Sequence, residues 1–265
     1  MPAIDLSKLR LQVRELVNHT SNPEIFLKNL QDLLEYYRNY SLKVEQKFFG
    51  SIFSRYQTPE QVLRTIKKEL GKAVTKKPDT GLELATILWN EPFFETKYLA
   101  VSLLRSIPPN SAIEIISRIP EIAENITERE KFLPELLIAL NHIREEKPGQ
   151  IFNVISSWLT DKDTRTQSWG LEIISRLVSR PDDENLPTVF KLLNSILLTQ
   201  DPATQTELVQ CIKSLYYISP SETTHFLVES IKEIKNEKTL EILSKSARRF
   251  PESLYRQIKP LLIVR

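Results

Sequence analysis

Apolar residues recur along this chain at helical spacing, with no run at the alternating spacing of strands. Ile25, Leu30, Leu33, Leu34 and Tyr37 form one such set, Val62, Leu63, Ile66 and Leu70 a second, and Tyr98, Val101, Leu104 and Ile107 a third. Residues three and four apart stand one above the other on a helix, so each set predicts an amphipathic helix with one buried stripe. Helix starts are marked by a capping residue followed by proline, at Asn22-Pro23-Glu24, Thr58-Pro59-Glu60 and Asp201-Pro202. Thr127 and Glu130 have the spacing of a capping box, in which hydroxyl and carboxylate satisfy backbone donors. About fourteen helices follow from this pattern. Gly71 is placed to end the helix that begins near Pro59, leaving Lys72, Lys76 and Lys77 on the next loop. Pro120 and Pro134 interrupt periodic stretches and predict kinks or breaks there, because proline removes a helical donor.

The breaks between predicted helices are roughly two to five residues, so consecutive helices are expected to pack as antiparallel hairpins. Pro23, Pro59, Pro92, Pro148, Pro181, Pro220 and Pro251 recur at intervals near, and usually below, the roughly 40–47 residues of HEAT and armadillo units. The expected fold is therefore all-α: a HEAT/armadillo-like superhelical solenoid of antiparallel helical hairpins, forming a single HEAT-like repeat domain over 1–265. The lack of long helices argues against a compact bundle.

Composition narrows the chemistry. The chain is 41% hydrophobic and 26% charged over 265 residues, the balance of a folded soluble protein. No apolar run approaches the roughly 18–20 residues needed to cross a bilayer. Met1-Pro2-Ala3-Ile4-Asp5 has neither a basic n-region nor an apolar h-region, so a cytoplasmic location is expected. Cys211 is the only cysteine and sits among Val209, Ile212 and Leu215, which reads as a buried thiol. His19, His142 and His225 have no partner at ligand spacing, so neither a metal nor a cofactor is expected. There is no Gly-x-Ser-x-Gly elbow and no Ser/His/Asp set at a recognisable spacing. Only five glycines occur, in no cluster, so a phosphate-cradling loop lacks material. Asp161 with Asp163, and Asp182 with Asp183, fall at helix starts, where capping explains them. Trp89, Trp158 and Trp169 lie on apolar faces or helix ends and read first as packing residues.

A formal net charge of +2 conceals an uneven distribution. Arg55, Arg64, Lys67, Lys68, Lys72, Lys76 and Lys77 are opposed over their stretch only by Glu60 and Glu69. A second basic stretch runs through Lys232, Lys235, Lys238, Lys245, Arg248, Arg249, Arg256, Lys259 and Arg265, against four glutamates. Between the two lies an acidic segment with Asp182, Asp183, Glu184, Asp201, Glu207, Glu222 and Glu229. Such blocks are either solvated helix faces or footprints for a charged partner.

The segment Leu88-Trp89-Asn90-Glu91-Pro92-Phe93-Phe94-Glu95-Thr96-Lys97-Tyr98-Leu99-Ala100, followed by Leu103-Leu104, resembles the DNA alkylation repair family of HEAT-like proteins. In that family a helix ends in Leu-Trp, and the next carries Glu, a basic residue and Leu-Ala before a Leu pair. Tyr56-Gln57-Thr58-Pro59-Glu60 is similar to the family's upstream loop and Pro-led helix, and Ile155-Ser156-Ser157-Trp158 repeats a weaker part of the pattern. The resemblance implies a curved repeat protein whose concave basic face holds duplex DNA, in some members with excision of alkylated bases. Excising members use a Trp and an Asp four residues apart, an Arg on a later helix and a second Trp in the cleft. Here Trp89 is followed at that distance by Phe93, Trp158 by Lys162 and Trp169 by Ile173. Trp158 matches the Trp before the family's Arg helix, but Gln167 and Ser168 hold the Arg positions and Arg165 lies two or three residues early.

The leading expectation is a noncatalytic DNA-binding protein. Arg64, Lys67, Lys68, Lys72, Lys76 and Lys77, with Lys245, Arg248 and Arg249, would hold the backbone, and Trp158, Arg165 and Trp169 are candidate cleft residues. Affinity would then be mostly electrostatic. A protein-binding scaffold is the second expectation, and a DNA glycosylase with a rearranged site the third.

Overall fold

The structure, a computed structural model, describes residues 4–38, 54–119, 126–178, 185–199 and 201–263. Fourteen α-helices fill most of these residues, and a single isolated bridge, between Ser54 and Phe93, is the only β-type pairing among them. The contacts divide the chain into two compact units, Met1–Pro148 and Gly149–Arg265.

The first unit holds α1 (Leu6–Asn18), α2 (Pro23–Tyr36), α3 (Glu60–Lys76), α4 (Pro78–Asn90), α5 (Phe94–Leu103), α6 (Pro109–Ser117) and α7 (Ile126–Glu146), with a 3-10 turn at Leu104–Ser106. Each helix packs on the next but one: α1, α3, α5 and α7 form one row, and α2, α4 and α6 the other. Contacts of α1 with α2, α3 with α4, α4 with α5 and α6 with α7 join the rows. In the second unit, α9 (Thr164–Leu177), α11 (Gln205–Ile218) and α13 (Glu237–Ala247) form one row. The other is α10 (Leu186–Thr199), α12 (Pro220–Glu233) and α14 (Glu252–Ile263), while α8 (Pro148–Leu159) precedes them. A two-row arrangement follows from amphipathic helices stacked in sequence, since a stripe on one helix is covered only by its neighbours.

The predicted stripes are largely the observed ones. Val62, Leu63, Ile66 and Leu70 are buried on α3, and Leu30, Leu33 and Leu34 on α2, where Phe26 replaces the expected Ile25, which is exposed. Asn22 caps α2 by accepting a hydrogen bond from the Ile25 amide at 3.2 Å, and Asp201 caps the 3-10 turn Pro202–Thr204 by accepting from Ala203 at 2.8 Å. Asp163 caps α9 from the Arg165 amide, and Asp161 accepts from the Asp163 amide. Cys211 is fully buried, and burial pushes its thiol pKa up, away from thiolate chemistry.

Two local expectations, at Gly71 and Thr58, are corrected, and of the kink or break expected at Pro134 the break does not occur. Gly71 does not end α3; the helix continues to Lys76, because Val74 extends the buried series Ile66–Leu70–Val74 by one turn. Burying that valine offsets the roughly 1 kcal/mol that glycine costs inside a helix. Helix α7 runs unbroken through Pro134, held by the buried Phe132, Leu133, Leu136, Ala139, Leu140 and Ile143. Thr58 does not cap α3: its hydroxyl is buried without a partner among the described residues, and Pro59 occupies the cap position. Pro120 and the side chain of Thr127 lie outside the described residues.

Two glycines of the first unit should respond oppositely to alanine. A Cβ on Gly81 would stand 2.2 Å from Val74 Cγ1 and 2.7 Å from Ile107 Cγ2, whereas one on Gly71 meets nothing closer than the Arg105 guanidinium at 3.9 Å. Gly81→Ala is expected to destabilise by about 1–3 kcal/mol or more through overpacking. Gly71→Ala is expected to stabilise by about 1 kcal/mol through helix propensity. Urea-denaturation midpoints of the two variants check both signs.

Candidate nucleic-acid interface

On α3 the outward face is set by the inward one. Arg64, Lys68 and Lys72 follow one another at four-residue steps and lie opposite Val62, Ile66 and Leu70, so their charges point to solvent. Helix α1 presents Arg10 and Arg14 one turn apart, away from its own buried Leu9, Val13 and Leu16. Because α1 packs beside α3, the two cationic rows line one groove of about 460 Å³, with Arg10, Arg14, Arg64, Lys68 and Lys72 on its walls and Glu69 among them. Arg64 is paired with Glu60 at 2.6 Å and Lys72 with Glu69 at 2.8 Å, both exposed pairs along one helix. Among the described residues, no ion pair or side-chain hydrogen bond engages Arg10, Arg14 or Lys68. The hydrogen bond from Lys72 holds the Glu69 carboxyl below its ordinary value against the opposing effect of burial, and the charges of Lys72, Lys68 and Arg14 act in the same direction as the bond.

Lys67 is not part of this face. It lies roughly 20° around the helix from the buried Val74, at the margin of the apolar stripe. Its ammonium turns toward α7 and pairs with Glu135, over the Tyr98 ring at 5.8 Å. The side chains of Lys67 and Glu135 are only 24% and 8% exposed. Burial lowers the Lys67 pKa, but the Glu135 hydrogen bond and charge, with Tyr98, outweigh it and leave the ammonium above its ordinary value. Lys76 and Lys77 are exposed at the end of α3, where Lys77 is the C-cap, and do not line the groove.

Lys245, Arg248 and Arg249 are exposed around the end of α13 in the second unit, Lys245 in a pair with Glu241 at 2.6 Å. The candidate cleft residues are not assembled into an open cleft. Trp158 is 3% exposed and Trp169 1%, whereas Arg165 is exposed and its Nε donates to both Asp163 carboxylate oxygens at 3.1 and 3.2 Å. Gly170 lets α9 approach the end of α8 so closely that a Cβ there would stand 2.9 Å from Leu159 Cδ2.

Arg10 and Arg14 went unnoticed in the sequence because two arginines over one turn form no charge block. The available signal was their four-residue step opposite Leu9, Val13 and Leu16, behind the capping Asp5.

The Glu-x-Lys segment of α5 has a structural task. Glu95 is 2% exposed and accepts hydrogen bonds from the Tyr56 amide at 3.2 Å and the Thr58 amide at 3.4 Å. Between them Gln57 is left-handed at φ 57°, a conformation costly for a side-chain-bearing residue. Lys97 donates to the carbonyl of Trp89 at the end of α4 and lies 4.9 Å from the Trp89 ring. Trp89, 1% exposed, is packed as expected. This arrangement lies inside a longer match: the family model described as DNA alkylation repair enzyme covers residues 30–244. The chain belongs to that family. No curated protein matches it. Among solved structures, an engineered protein is 17% identical with a TM-score of 0.39; that alignment covers 94% of this chain and 66% of the engineered one, so the chain spans less than two thirds of it. A second engineered protein is 16% identical with a TM-score of 0.42, covering 94% of this chain and 97% of the other.

In this member of the DNA alkylation repair enzyme family, Lys67 and Glu135 are expected to be coupled. A double-mutant cycle with Lys67→Met and Glu135→Leu, read by urea denaturation at neutral pH, should give a coupling of about 1–3 kcal/mol, less than a fully buried pair because Lys67 keeps some solvent. Since the folded-state Lys67 pKa is raised, this stabilisation is complete below the ordinary lysine pKa of about 10.4 and fades as pH rises through the raised value. The coupling should therefore shrink in strong alkali and stay unchanged between neutral pH and about 9.

Proposed function

We propose that this family member is a noncatalytic nucleic-acid-binding protein that holds a DNA backbone against the face shared by α1 and α3. The observation that carries the reading is the convergence of Arg10, Arg14, Arg64, Lys68 and Lys72 on one groove, with Glu69 as its only acid among the described residues. Three of these are arginines, whose planar fork suits phosphate oxygens. Lys76 and Lys77 extend the basic surface at the end of α3, Lys245, Arg248 and Arg249 supply a second contact, and Lys67 serves the fold instead. We read the neighbour-to-neighbour rows as a HEAT-like superhelical solenoid in which 1–265 is one repeat domain, working in the cytoplasm.

A noncatalytic role is supported by where the indoles lie. Excising a cationic base calls for π-faces and a carboxylate beside the departing nucleoside. Trp89, Trp158 and Trp169 are all at most 3% exposed, and their rings are committed to helix packing.

Phosphate contacts made by lysine and arginine release condensed counterions, so binding weakens with salt at a slope set by the number of contacts. Arg64→Ala, Lys68→Ala and Lys72→Ala combined are expected to lower the slope of log affinity against log salt by about 2.7 on duplex DNA if each side chain neutralises one phosphate. Glutamate at the same positions should weaken binding further. The measurement is a salt-titrated anisotropy assay on duplex, branched and single-stranded DNA. An unchanged slope in the triple alanine variant would remove this face as the contact and put the protein-scaffold reading ahead.

A further inference from the structure

Among the described residues, Glu69 is the one acid lining a groove that carries five cations. Its carboxylate accepts from Lys72 at 2.8 Å and lies in the field of Lys68 and Arg14. Glu60, by contrast, pairs with Arg64 from the first turn of α3 and is not among the residues lining the groove. Arg10, Arg14 and Lys68 have no ion pair, and Glu69 is the acid nearest to hand in the groove, both among the described residues. A carboxylate and a phosphodiester are both monovalent anions presenting two oxygens to N–H donors, and compete for the same cations.

We propose that Glu69 is the resident anion of the α1–α3 groove, and that a phosphate of the bound chain takes its place on Lys72 and is held by Lys68 and Arg14 as well. This rests on the backbone-binding reading above and adds two things to it. The first is a residue that limits affinity: each ligand phosphate must displace, or sit beside, a negative charge already there. The second is a ligand class. No aromatic side chain lines the groove among the described residues, so bases have no stacking platform and the ligand is read as a chain of phosphates. A base-free chain of the same charge, inorganic polyphosphate, therefore occupies the groove as well.

The bland role for Glu69 is an exposed i, i+3 partner that slightly supports α3, and such pairs contribute little to stability. The two roles separate in binding. Full-length Glu69→Gln is expected to bind duplex DNA about three- to tenfold more tightly than wild type at low salt, as removal of a like charge a few ångströms from the phosphate implies. The gain should disappear at high salt. In an Arg14→Ala, Lys68→Ala background it should fall below about twofold, because the phosphate no longer has the cations that bring it to Glu69. Polyphosphate should displace DNA from wild type, and at lower concentration from Glu69→Gln, with thermal melts confirming that all variants fold. Unchanged or weaker DNA binding by Glu69→Gln overturns the proposal, as does failure of polyphosphate to compete. If the α3 triple alanine variant loses salt slope while Glu69→Gln is neutral, only this inference fails. If the triple variant keeps the wild-type slope, the backbone-binding reading itself fails. Should wild type bind no DNA, calorimetric titration of polyphosphate into wild type and Glu69→Gln decides the inference alone: tighter binding by the variant supports it, and equal or absent binding overturns it.

Discussion

A buried carboxylate with two backbone amides as its partners is costly to remove and hard to satisfy any other way, and Glu95 is in that position. Its bonds to Tyr56 and Thr58 bring the incoming strand of chain to the start of α5, and the bridge between Ser54 and Phe93 closes the same joint. Pro59 follows and α3 begins at Glu60, so this joint fixes where α3 starts, while the buried stripe of α3 itself sets which way Arg64, Lys68 and Lys72 face. Lys97, two residues on, ties the end of α4 to α5 through the Trp89 carbonyl. Two buried charges thus hold neighbouring joints, Glu95 the approach to α3 and Lys97 the turn from α4 into α5.

This explains which parts could be read from the sequence. The stripe Val62, Leu63, Ile66 and Leu70 was legible because its periodicity is local, and so were the caps at Asn22 and Asp201. Thr58 misled for the opposite reason: the residue satisfying its loop is Glu95, on a helix that sequence spacing does not place beside it. Gly71 misled because its meaning as a helix stop depends on whether Val74, three residues later, has something to pack against. The Leu-Trp and Glu-x-Lys pattern identified the family, but the reason for that pattern, two buried charges clamping a hairpin, is visible only in three dimensions.

The candidate site shows the same division more sharply. Lysines at three- and four-residue steps all look outward on a helical wheel drawn without neighbours. Lys67 shows the limit of that drawing, since a position at the margin of the stripe is claimed by whichever acid the adjacent helix offers, here Glu135 of α7. Arg10 and Arg14 show the converse, because two isolated arginines gain meaning only once α1 lies against α3.

What draws a polyanion to a surface is therefore the charge left over after the fold has taken its share. Lys67 and Lys97 are spent on Glu135 and on a helix carbonyl, and neither adds to an outward field. Arg64 and Lys72 are partly neutralised by exposed partners that salt and solvent loosen readily, whereas Arg10, Arg14 and Lys68 are opposed in the groove chiefly by Glu69. A net charge of +2 averages these classes together and so says little about binding. Among the described residues, the groove between α1 and α3 gathers Arg10, Arg14 and Lys68, cations that the fold has not paired, beside the partly neutralised Arg64 and Lys72.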